Sequence, residues 1–303
     1  MKELEKIKNV YFLGIGGIGM SALARYFKFI GKNVAGYDST QTPLTDALQA
    51  EGIDVHYEDD IRNIPANWAQ TETIAIYTPA LPENHQELNW FMHEPIALFK
   101  RAKVLGMIAN EKNGIAIAGT HGKTTTSTMV ANILNQTEQG CGAFLGGISK
   151  NFGSNLLLPK NDSPWIVEEA DEFDRSFLHL HPQLALVTSL EADHLDIYGN
   201  KEALKESFEK FIAQVQPTGT LVVKKGLDLD TSKTEAEVLT YSLNEAADFS
   251  ALNLKLNPAT ATYAFDLKTP KGVIANCKMN YPGLVNVENV FFFKQKTAYE
   301  MLM

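Results

Sequence analysis

The chain has 303 residues, of which 45% are hydrophobic and 21% charged, and its formal net charge is −9. This length predicts about two domains, and the apolar content excludes a broadly disordered chain. The negative charge argues against a general surface for nucleic acids or anionic membranes. Cys141 and Cys277 belong to no metal-binding motif and are expected to be reduced thiols. No charged-then-apolar leader or membrane-length apolar run is present, so we expect a cytoplasmic protein.

The first hundred residues alternate between short apolar strands and helices of about ten residues, which predicts a parallel, doubly wound α/β sheet. The predicted strands are 10–16, 33–38, 53–57 and 73–81, and the predicted helices are 20–31 and 42–52.

The same pattern then restarts, which predicts a second α/β domain. Its predicted helices are 94–111, 124–136 and 201–215, and its predicted strands are 114–119, 165–170, 184–190 and 218–225. Residues 240–280 read as short alternating strands, as in an antiparallel edge.

A first glycine-rich turn joins the first strand to the first helix. Gly14, Gly16 and Gly19 satisfy G-x-G-x-x-G, and Asp38 follows at the end of the second strand. A bare backbone at a helix N-terminus binds a diphosphate, and the acid is part of the dinucleotide fingerprint. The turn alone leaves three interpretations open: a site for NAD(P), a site for another nucleotide, or a structural turn.

A second glycine-rich turn, G-T-H-G-K-T at residues 119–124, resembles a phosphate-binding P-loop from which the first glycine is missing, because Ile117 stands in its place. Lys123 is placed to reach the β- and γ-phosphates of a nucleotide, and the Thr124 hydroxyl to bind Mg²⁺. For His121, a phosphate contact and a role in shaping the loop are both consistent with the sequence.

Two acidic segments, 168–177 and 191–199, follow apolar strands of this second domain. Ligands collect at the carboxyl ends of strands in an open parallel sheet, so these segments and Thr124 are predicted to converge on a metal–nucleotide site. His194, in the second segment, is a candidate for a second metal ion or a phosphate contact, with a structural role as the alternative.

Together these segments resemble the Mur ligases, the ATP-dependent amide-forming enzymes of peptidoglycan synthesis, for which the shortened loop is typical. The resemblance rests on the segments GIGGIGMS (14–21), AGTHGKTTT (118–126), EADEFDRSFLHLHP (169–182), EADHLDIYG (191–199) and PGLVNVENV (282–290).

For the first turn, the resemblance implies a Rossmann-like domain that holds a UDP-sugar, and this sets NAD and a dehydrogenase aside. Asp38 would contact the nucleoside end of UDP. The residues around the pyrophosphate would be Gly14, Gly16, Gly17, Ile18, Gly19, Met20 and Ser21.

For the second turn, the resemblance implies ATP and Mg²⁺, with Lys123, Glu169 and His194 as the catalytic residues. Mg²⁺ would be held by Thr124 and Glu169, and a second Mg²⁺ by His194. The implied ATP-binding residues are Gly119, Thr120, His121, Gly122, Lys123, Thr124, Thr125, Asn286 and Asn289, the last two from the family's P-G-x-x-N-x-x-N element.

The chain departs from the family's pattern in three places. Many members have histidine where this chain has Val285, and many have asparagine where it has Ser189. After Val290 the expected small-residue helix is replaced by FFFKQKTAYEMLM, which we interpret as an aberrant or foreign tail.

The predicted domains are a Rossmann-like UDP-sugar-binding domain (1–106), an ATP-binding central domain (107–290) and the tail (291–303), with the family's third Rossmann-like domain absent. The implied activity joins L-alanine to the carboxylate of UDP-N-acetylmuramate through an acyl phosphate, and we expect this fragment to be inactive alone. A peptidoglycan-recycling ligase that attaches a peptide to the same sugar is one alternative, and a non-catalytic UDP-sugar-binding protein is another.

Overall fold

The first glycine-rich turn follows the central strand of a five-stranded parallel sheet. Its strands are β1 (Asn9–Leu13), β2 (Asn33–Tyr37), β3 (Asp54–His56), β4 (Thr73–Tyr77) and β5 (Ala97–Lys100). They lie in the order β3-β2-β1-β4-β5, and every pairing is parallel. β1 is buried along its whole length, as a central strand between layers of helices requires. The strand order reverses at β1, so the turn after it lies at the switch point where such sheets bind ligands.

The computed structural model describes residues 4, 6–68, 72–160, 162–191, 198–280 and 283–290, with the backbone alone for Val285 and Val290.

In the described residues, the first sheet is accompanied by the α-helices α1 (Ile18–Phe29), α2 (Pro43–Ala50), α3 (Gln86–His93) and α4 (Arg101–Ala109). α1 buries Met20, Leu23, Ala24 and Phe27, whose spacing puts them on one helical face. α2 begins with a capping box between Thr42 and Thr45.

The continuous helix predicted over 94–111 is wrong in its first part. Residues 97–100 form β5, which pairs in parallel with β4 from Ile74↔Ala97 to Tyr77↔Lys100. The helix begins only at Arg101, after an extended Lys100. Pairing with a neighbouring strand therefore overrides the local helical pattern at this sheet edge.

The second glycine-rich turn follows the central strand of a seven-stranded sheet. Its strands are β6 (Asn113–Ala118), β7 (Gly142–Ser149), β8 (Ser154–Leu157), β9 (Trp165–Glu169), β10 (Leu184–Val187), β11 (Thr220–Lys224) and β12 (Glu237–Tyr241). Their order is β12-β11-β10-β6-β9-β7-β8, and β6 is parallel to both β9 and β10. The helices α5 (Lys123–Leu134) and α6 (Lys201–Ile212) lie where the sequence predicts them, whereas β7 and β8 were not predicted.

The described part of residues 250–290 forms a three-stranded antiparallel sheet and a short helix. The strands are β13 (Ser250–Asn257), β14 (Thr262–Thr269) and β15 (Gly272–Met279), and the helix is α7 (Leu284–Val290). The predicted alternating strands are thus present, and they form a sheet of their own. The α/β fold class with a parallel-sheet first domain is confirmed.

Residue contacts divide the chain into two units. The first comprises residues 1–111 and 144–158, and the second comprises 112–143 and 159–303. The boundary predicted between residues 106 and 107 stays a prediction, and the predicted tail at 291–303 lies outside the described residues. Cys141 and Cys277 are both buried and free. Among the described helices, none has the length and apolar character needed to cross a membrane.

Candidate functional site

The first glycine-rich turn is pressed against the ends of its neighbouring strands. The backbone N–H groups of Gly14 and Ile15 both donate to the Tyr37 carbonyl, at 2.8 and 2.9 Å. Gly14 has φ +86°, and a Cβ added to it would lie 2.5 Å from Cγ2 of Thr78. A side chain at this position would therefore meet both backbone strain and a steric overlap.

Asp38 faces this turn. Its Oδ2 accepts the Gly16 N–H at 2.7 Å, and its Oδ1 accepts the Thr40 N–H at 3.2 Å. A Cβ on Gly16 would approach the same carboxylate to 2.8 Å. Asp38, the acid of the dinucleotide fingerprint, thus stabilises the glycine-rich loop through hydrogen bonds. Its predicted contact with a nucleoside stays a prediction.

The turn leads into the N-terminus of α1, where no side chain caps the helix. Within α1, Ser21 is the first residue whose N–H bonds back to a backbone carbonyl, that of Gly17 at 2.8 Å. The earlier amides and the helix dipole give this end a partial positive charge that suits an anion. A Cβ on Gly19 would lie 2.8 Å from Nη1 of Arg101, so a guanidinium stands beside this end of the helix. Sequence reasoning missed Arg101, because it comes from the distant start of α4.

Asn155, also missed, fixes the first turn of α1. Its fully buried side-chain amide donates to the Ile18 carbonyl at 2.5 Å and to Oγ of Ser21 at 2.9 Å. Its Oδ1 accepts from Nη1 of Arg25 at 2.6 Å. No local motif marks Asn155, and the strand that carries it was itself unpredicted.

The structure of the second glycine-rich turn shows why the first glycine of a standard P-loop is not needed here. Ile117 is fully buried within β6, between Leu186 of β10 and Glu169 of β9, so the strand simply continues where a standard P-loop would already turn. The turn is made instead by Gly119 and Gly122, with φ of +133° and +86°. These values favour glycine at both positions.

The end of β10 holds this turn in shape. Oγ1 of Thr188 donates to the His121 carbonyl at 2.6 Å, and Oγ of Ser189 accepts the His121 N–H at 2.8 Å. Ser189 also lies 3.0 Å from Oγ1 of Thr120. The exposed His121 ring lies 3.4 Å from Glu191. The serine that replaces the family's asparagine is thus a direct support of the loop.

Lys123 begins α5, and its ammonium is already engaged. Nζ donates to the Gly119 carbonyl at 2.8 Å and lies 2.9 Å from both carboxylate oxygens of Glu172. Glu172 is fully buried. The sequence pointed to the acidic segment around it and did not single out this residue.

Thr124 and Glu169 lie side by side, as the predicted metal site requires. Oγ1 of Thr124 donates to Oε1 of Glu169 at 3.1 Å. Two oxygen ligands beside nucleotide phosphates fit Mg²⁺, which keeps several waters and takes one or two protein ligands. His194, the third predicted ligand, lies outside the described residues, and within them no group of three or more His, Cys, Asp or Glu is arranged to hold a metal ion.

The two predicted asparagines lie on α7. Asn289 is buried, and its Nδ2 would be 3.5 Å from a Cβ on Gly122, so this side chain lies against the second glycine turn. Asn286 lies one helical turn earlier. Between them, Glu288 accepts from Nζ of Lys224 at 2.8 Å and from the Leu243 N–H at 3.3 Å. These bonds connect α7 to the end of β11 and to the segment after β12.

Glu168 is a buried acid that no predicted role uses. It is fully buried on β9, and burial raises its pKa to about 8. The bare backbone of Gly114 makes room for it, since a Cβ there would lie 3.3 Å from its Oε1. Its neighbour Glu169 points to the other face of the sheet, so adjacent acids have opposite environments.

Two domain models of known protein families match consecutive parts of the chain. The model described as "Mur ligase family, catalytic domain" matches residues 9–113, and the model described as "Mur ligase middle domain" matches residues 117–292.

Curated relatives carry the name UDP-N-acetylmuramate–L-alanine ligase. The protein from Parabacteroides distasonis is 48% identical over 289 residues, covering 95% of this chain and 62% of the relative. The one from Christiangramia forsetii is 48% identical over 291 residues with the same coverage. The chain thus spans less than two thirds of the length of these relatives.

Solved structures agree with the sequence match. The UDP-N-acetylmuramate–alanine ligase of Thermotoga maritima has a TM-score of 0.78 at 26% identity, covering 93% of this chain and 63% of that one. The UDP-N-acetylmuramate:L-alanyl-gamma-D-glutamyl-meso-diaminopimelate ligase of Neisseria meningitides has a TM-score of 0.82, covering 94% of this chain and 91% of that one. At 24% identity, it shows a shared fold alone. Since the middle-domain model matches more than half of its residues, the chain belongs to the Mur ligase family.

Proposed function

We propose that this chain is the nucleotide-binding part of an ATP-dependent ligase that joins L-alanine to UDP-N-acetylmuramate in peptidoglycan synthesis. The observation that carries the proposal is the second glycine turn, where Nζ of Lys123 donates to the Gly119 carbonyl and Oγ1 of Thr124 donates to Glu169. This arrangement supports a site for a nucleotide and its metal. The names of the relatives at 48% identity support the choice of substrates.

The proposed reaction has two steps. The lactyl carboxylate of UDP-N-acetylmuramate attacks the γ-phosphorus of ATP, which forms an acyl phosphate and releases ADP. The amine of L-alanine then attacks the acyl carbon, and phosphate leaves through a tetrahedral intermediate. An anion attacks an anion in the first step, so catalysis is chiefly positioning and charge neutralisation.

The residues at the second turn suit this task. The Lys123 ammonium brings positive charge to the β- and γ-phosphates, and the amides at the start of α5 add a partial positive charge. Mg²⁺, held through Thr124 and Glu169, would neutralise phosphate charge when bound. The reaction needs no enzyme nucleophile, because the substrate carboxylate is the nucleophile.

The first turn suits the diphosphate of the UDP-sugar. The support for this assignment is the open N-terminus of α1, held in place by Asn155, with Arg101 beside Gly19. Because Asp38 is engaged with Gly16, it does not by itself favour the ribose contact of an NAD enzyme. We place the activity in the cytoplasm, where ATP and nucleotide sugars are available.

Calorimetry on this chain tests the binding half of the proposal. We expect UDP-N-acetylmuramate and MgATP to bind independently detectable sites, and NADH not to bind. Replacing Thr124 with Val should weaken ATP binding in Mg²⁺ and leave metal-free ATP binding unchanged, whereas Thr124→Ser should resemble the wild type. NADH binding that UDP-N-acetylmuramate does not displace would contradict the proposal.

The choice of amino acid is tested by turnover of the whole protein encoded by the gene. We expect phosphate release that depends on UDP-N-acetylmuramate and L-alanine together. Release that requires a ready-made tripeptide instead would identify the recycling ligase. Binding of the UDP-sugar with no ATP turnover under any pairing would identify a non-catalytic binding protein.

A further inference from the structure

A buried ion pair joins the second glycine turn to the acidic segment after β9. The Lys123 ammonium lies 2.9 Å from both oxygens of Glu172, and the two side chains are 13% and 0% exposed. Residues 168–174 contain several other acids, and of these Asp174 is exposed to solvent. Glu172 is the acid of this segment that reaches the lysine.

The backbone around Glu172 is held firmly. Its carbonyl accepts from the Tyr198 hydroxyl at 2.5 Å and from the Arg175 N–H at 2.9 Å. Asp174 and Arg175 both adopt left-handed conformations, with φ of 51° and 54°. Each such non-glycine residue costs about 1 kcal/mol or more. The turn that follows Glu172 is therefore strained.

The geometry at Nζ leaves one donor for a ligand. An ammonium group has three N–H bonds. One is directed to the Gly119 carbonyl and one to Glu172. Among the described residues, no hydrogen bond uses the third. Two fixed acceptors determine where the third N–H points.

A need for stability alone does not explain this pair. Taking two charges out of water is expensive, and apolar residues of similar volume often serve a fold as well or better. Apolar residues in place of Glu172 would not give the ammonium a fixed direction, whereas the ion pair does.

We propose that Glu172 is a positioning residue for the P-loop lysine, directing its remaining N–H at the β- and γ-phosphates of the nucleotide. This proposal rests on the proposed function, because it presumes that the second turn binds ATP. It predicts that Glu172 acts on nucleotides only through Lys123, and only on those that carry phosphates beyond the first.

The test compares AMP, MgADP and MgATP binding to the wild-type chain and to Glu172→Gln by calorimetry. The amide keeps the size and an acceptor but removes the charge. We expect ADP and ATP to bind roughly tenfold more weakly, the usual effect of losing one charge-assisted hydrogen bond. AMP should bind as in the wild type. Glu202→Gln, which alters an exposed acid at the start of α6 in the same unit, should leave all three affinities unchanged.

A double substitution shows whether the effect passes through the lysine. Glu172→Gln should produce no further loss of ATP affinity in a Lys123→Met background. The double variant also avoids an uncompensated buried carboxylate, and urea unfolding confirms that each variant is folded.

The outcomes separate the two proposals. Provided that the wild type binds ATP, three results would each overturn the positioning role. They are unchanged or tighter ATP binding by folded Glu172→Gln, an equal loss of affinity for AMP, and a further loss of ATP affinity when Glu172→Gln is added to Lys123→Met. A wild-type chain that binds no adenine nucleotide would overturn the proposed function and this inference with it.

Discussion

The carboxylate of Asp38 accepts the backbone N–H of Gly16 over 2.7 Å, so an acid from the end of β2 holds the first glycine turn in shape. Because an amide oxygen can replace this acceptor, we expect Asp38→Asn to bind UDP-N-acetylmuramate about as well as the wild type. Asp38→Ala leaves the Gly16 N–H without its acceptor and should bind roughly tenfold more weakly. Calorimetry measures both. Equal losses in the two variants would show that the charge itself contacts the ligand.

Gly14 offers a test of close packing at the same turn. Gly14→Ala adds both a strained φ of +86° and an overlap with Thr78, whereas Gly31→Ala, at φ +79°, has open space around the new Cβ. Gly31→Ala should therefore cost only about 1 kcal/mol of unfolding free energy. Gly14→Ala should cost clearly more and abolish UDP-N-acetylmuramate binding. Urea unfolding and calorimetry give the two readouts, and equal stability losses would contradict the role of Thr78.

Ser189 offers a test of the second turn. Its hydroxyl accepts the His121 N–H at 2.8 Å, so Ser189→Ala should loosen the loop and weaken MgATP binding several-fold, by about 1 kcal/mol. UDP-N-acetylmuramate binding should not change. Ser232→Ala, at an exposed serine of the same unit, is the matched control. An ATP affinity equal to that of the wild type would show that Thr188 alone supports the loop.

Glu168 should make stability fall as the pH rises. Burial raises its pKa from 4.5 to about 8, so between these values the folded state keeps a proton that the unfolded state has lost. The unfolding free energy therefore decreases from pH 4.5 to 8, by on the order of 5 kcal/mol for this one group, and levels off above pH 8.

Glu168→Gln removes this titration and is the variant that isolates it. Glu87 contributes a slope of the same sign, because burial raises its pKa to about 7. The useful quantity is thus the difference between wild type and Glu168→Gln in urea unfolding. Relative to the wild type, the variant should gain stability between pH 5 and pH 9. A difference that stays constant over this range would mean that Glu168 is not protonated in the folded state.

Much of the fold follows from local sequence. Apolar runs that end in glycines and are followed by helical spacing identify β1–α1 and β6–α5, because strand, turn and helix N-terminus are adjacent along the chain. The positions of Gly14, Gly119 and Gly122 were predictable for the same reason, since each requires a backbone that only glycine adopts easily. The convergence of Thr124 with the acidic segment after β9 followed from the rule that strand ends gather at one edge of a parallel sheet, whereas Glu169 itself was implied by the resemblance to the Mur ligases.

The rest depends on contacts between distant parts of the chain. β5 was predicted as helix because its pairing with β4 is a tertiary feature. Arg101 and Asn155 reach the first turn from elements whose local sequence carries no functional motif. Glu172 is one of several acids in its segment. It differs from the others in being buried against Lys123, and no sequence pattern indicates this burial.

The hydrogen bonds of Asn155 also bear on how the protein forms during synthesis. The first unit is encoded in two stretches, since residues 144–158 join it after the intervening segment has been made. A nascent chain that has reached only residue 111 contains the whole first parallel sheet but lacks the amide that binds Ile18 and Ser21. At ordinary rates of translation, that amide follows several seconds later. The first glycine turn is therefore synthesised early, and the hydrogen bonds from Asn155 that stabilise it form only later in translation.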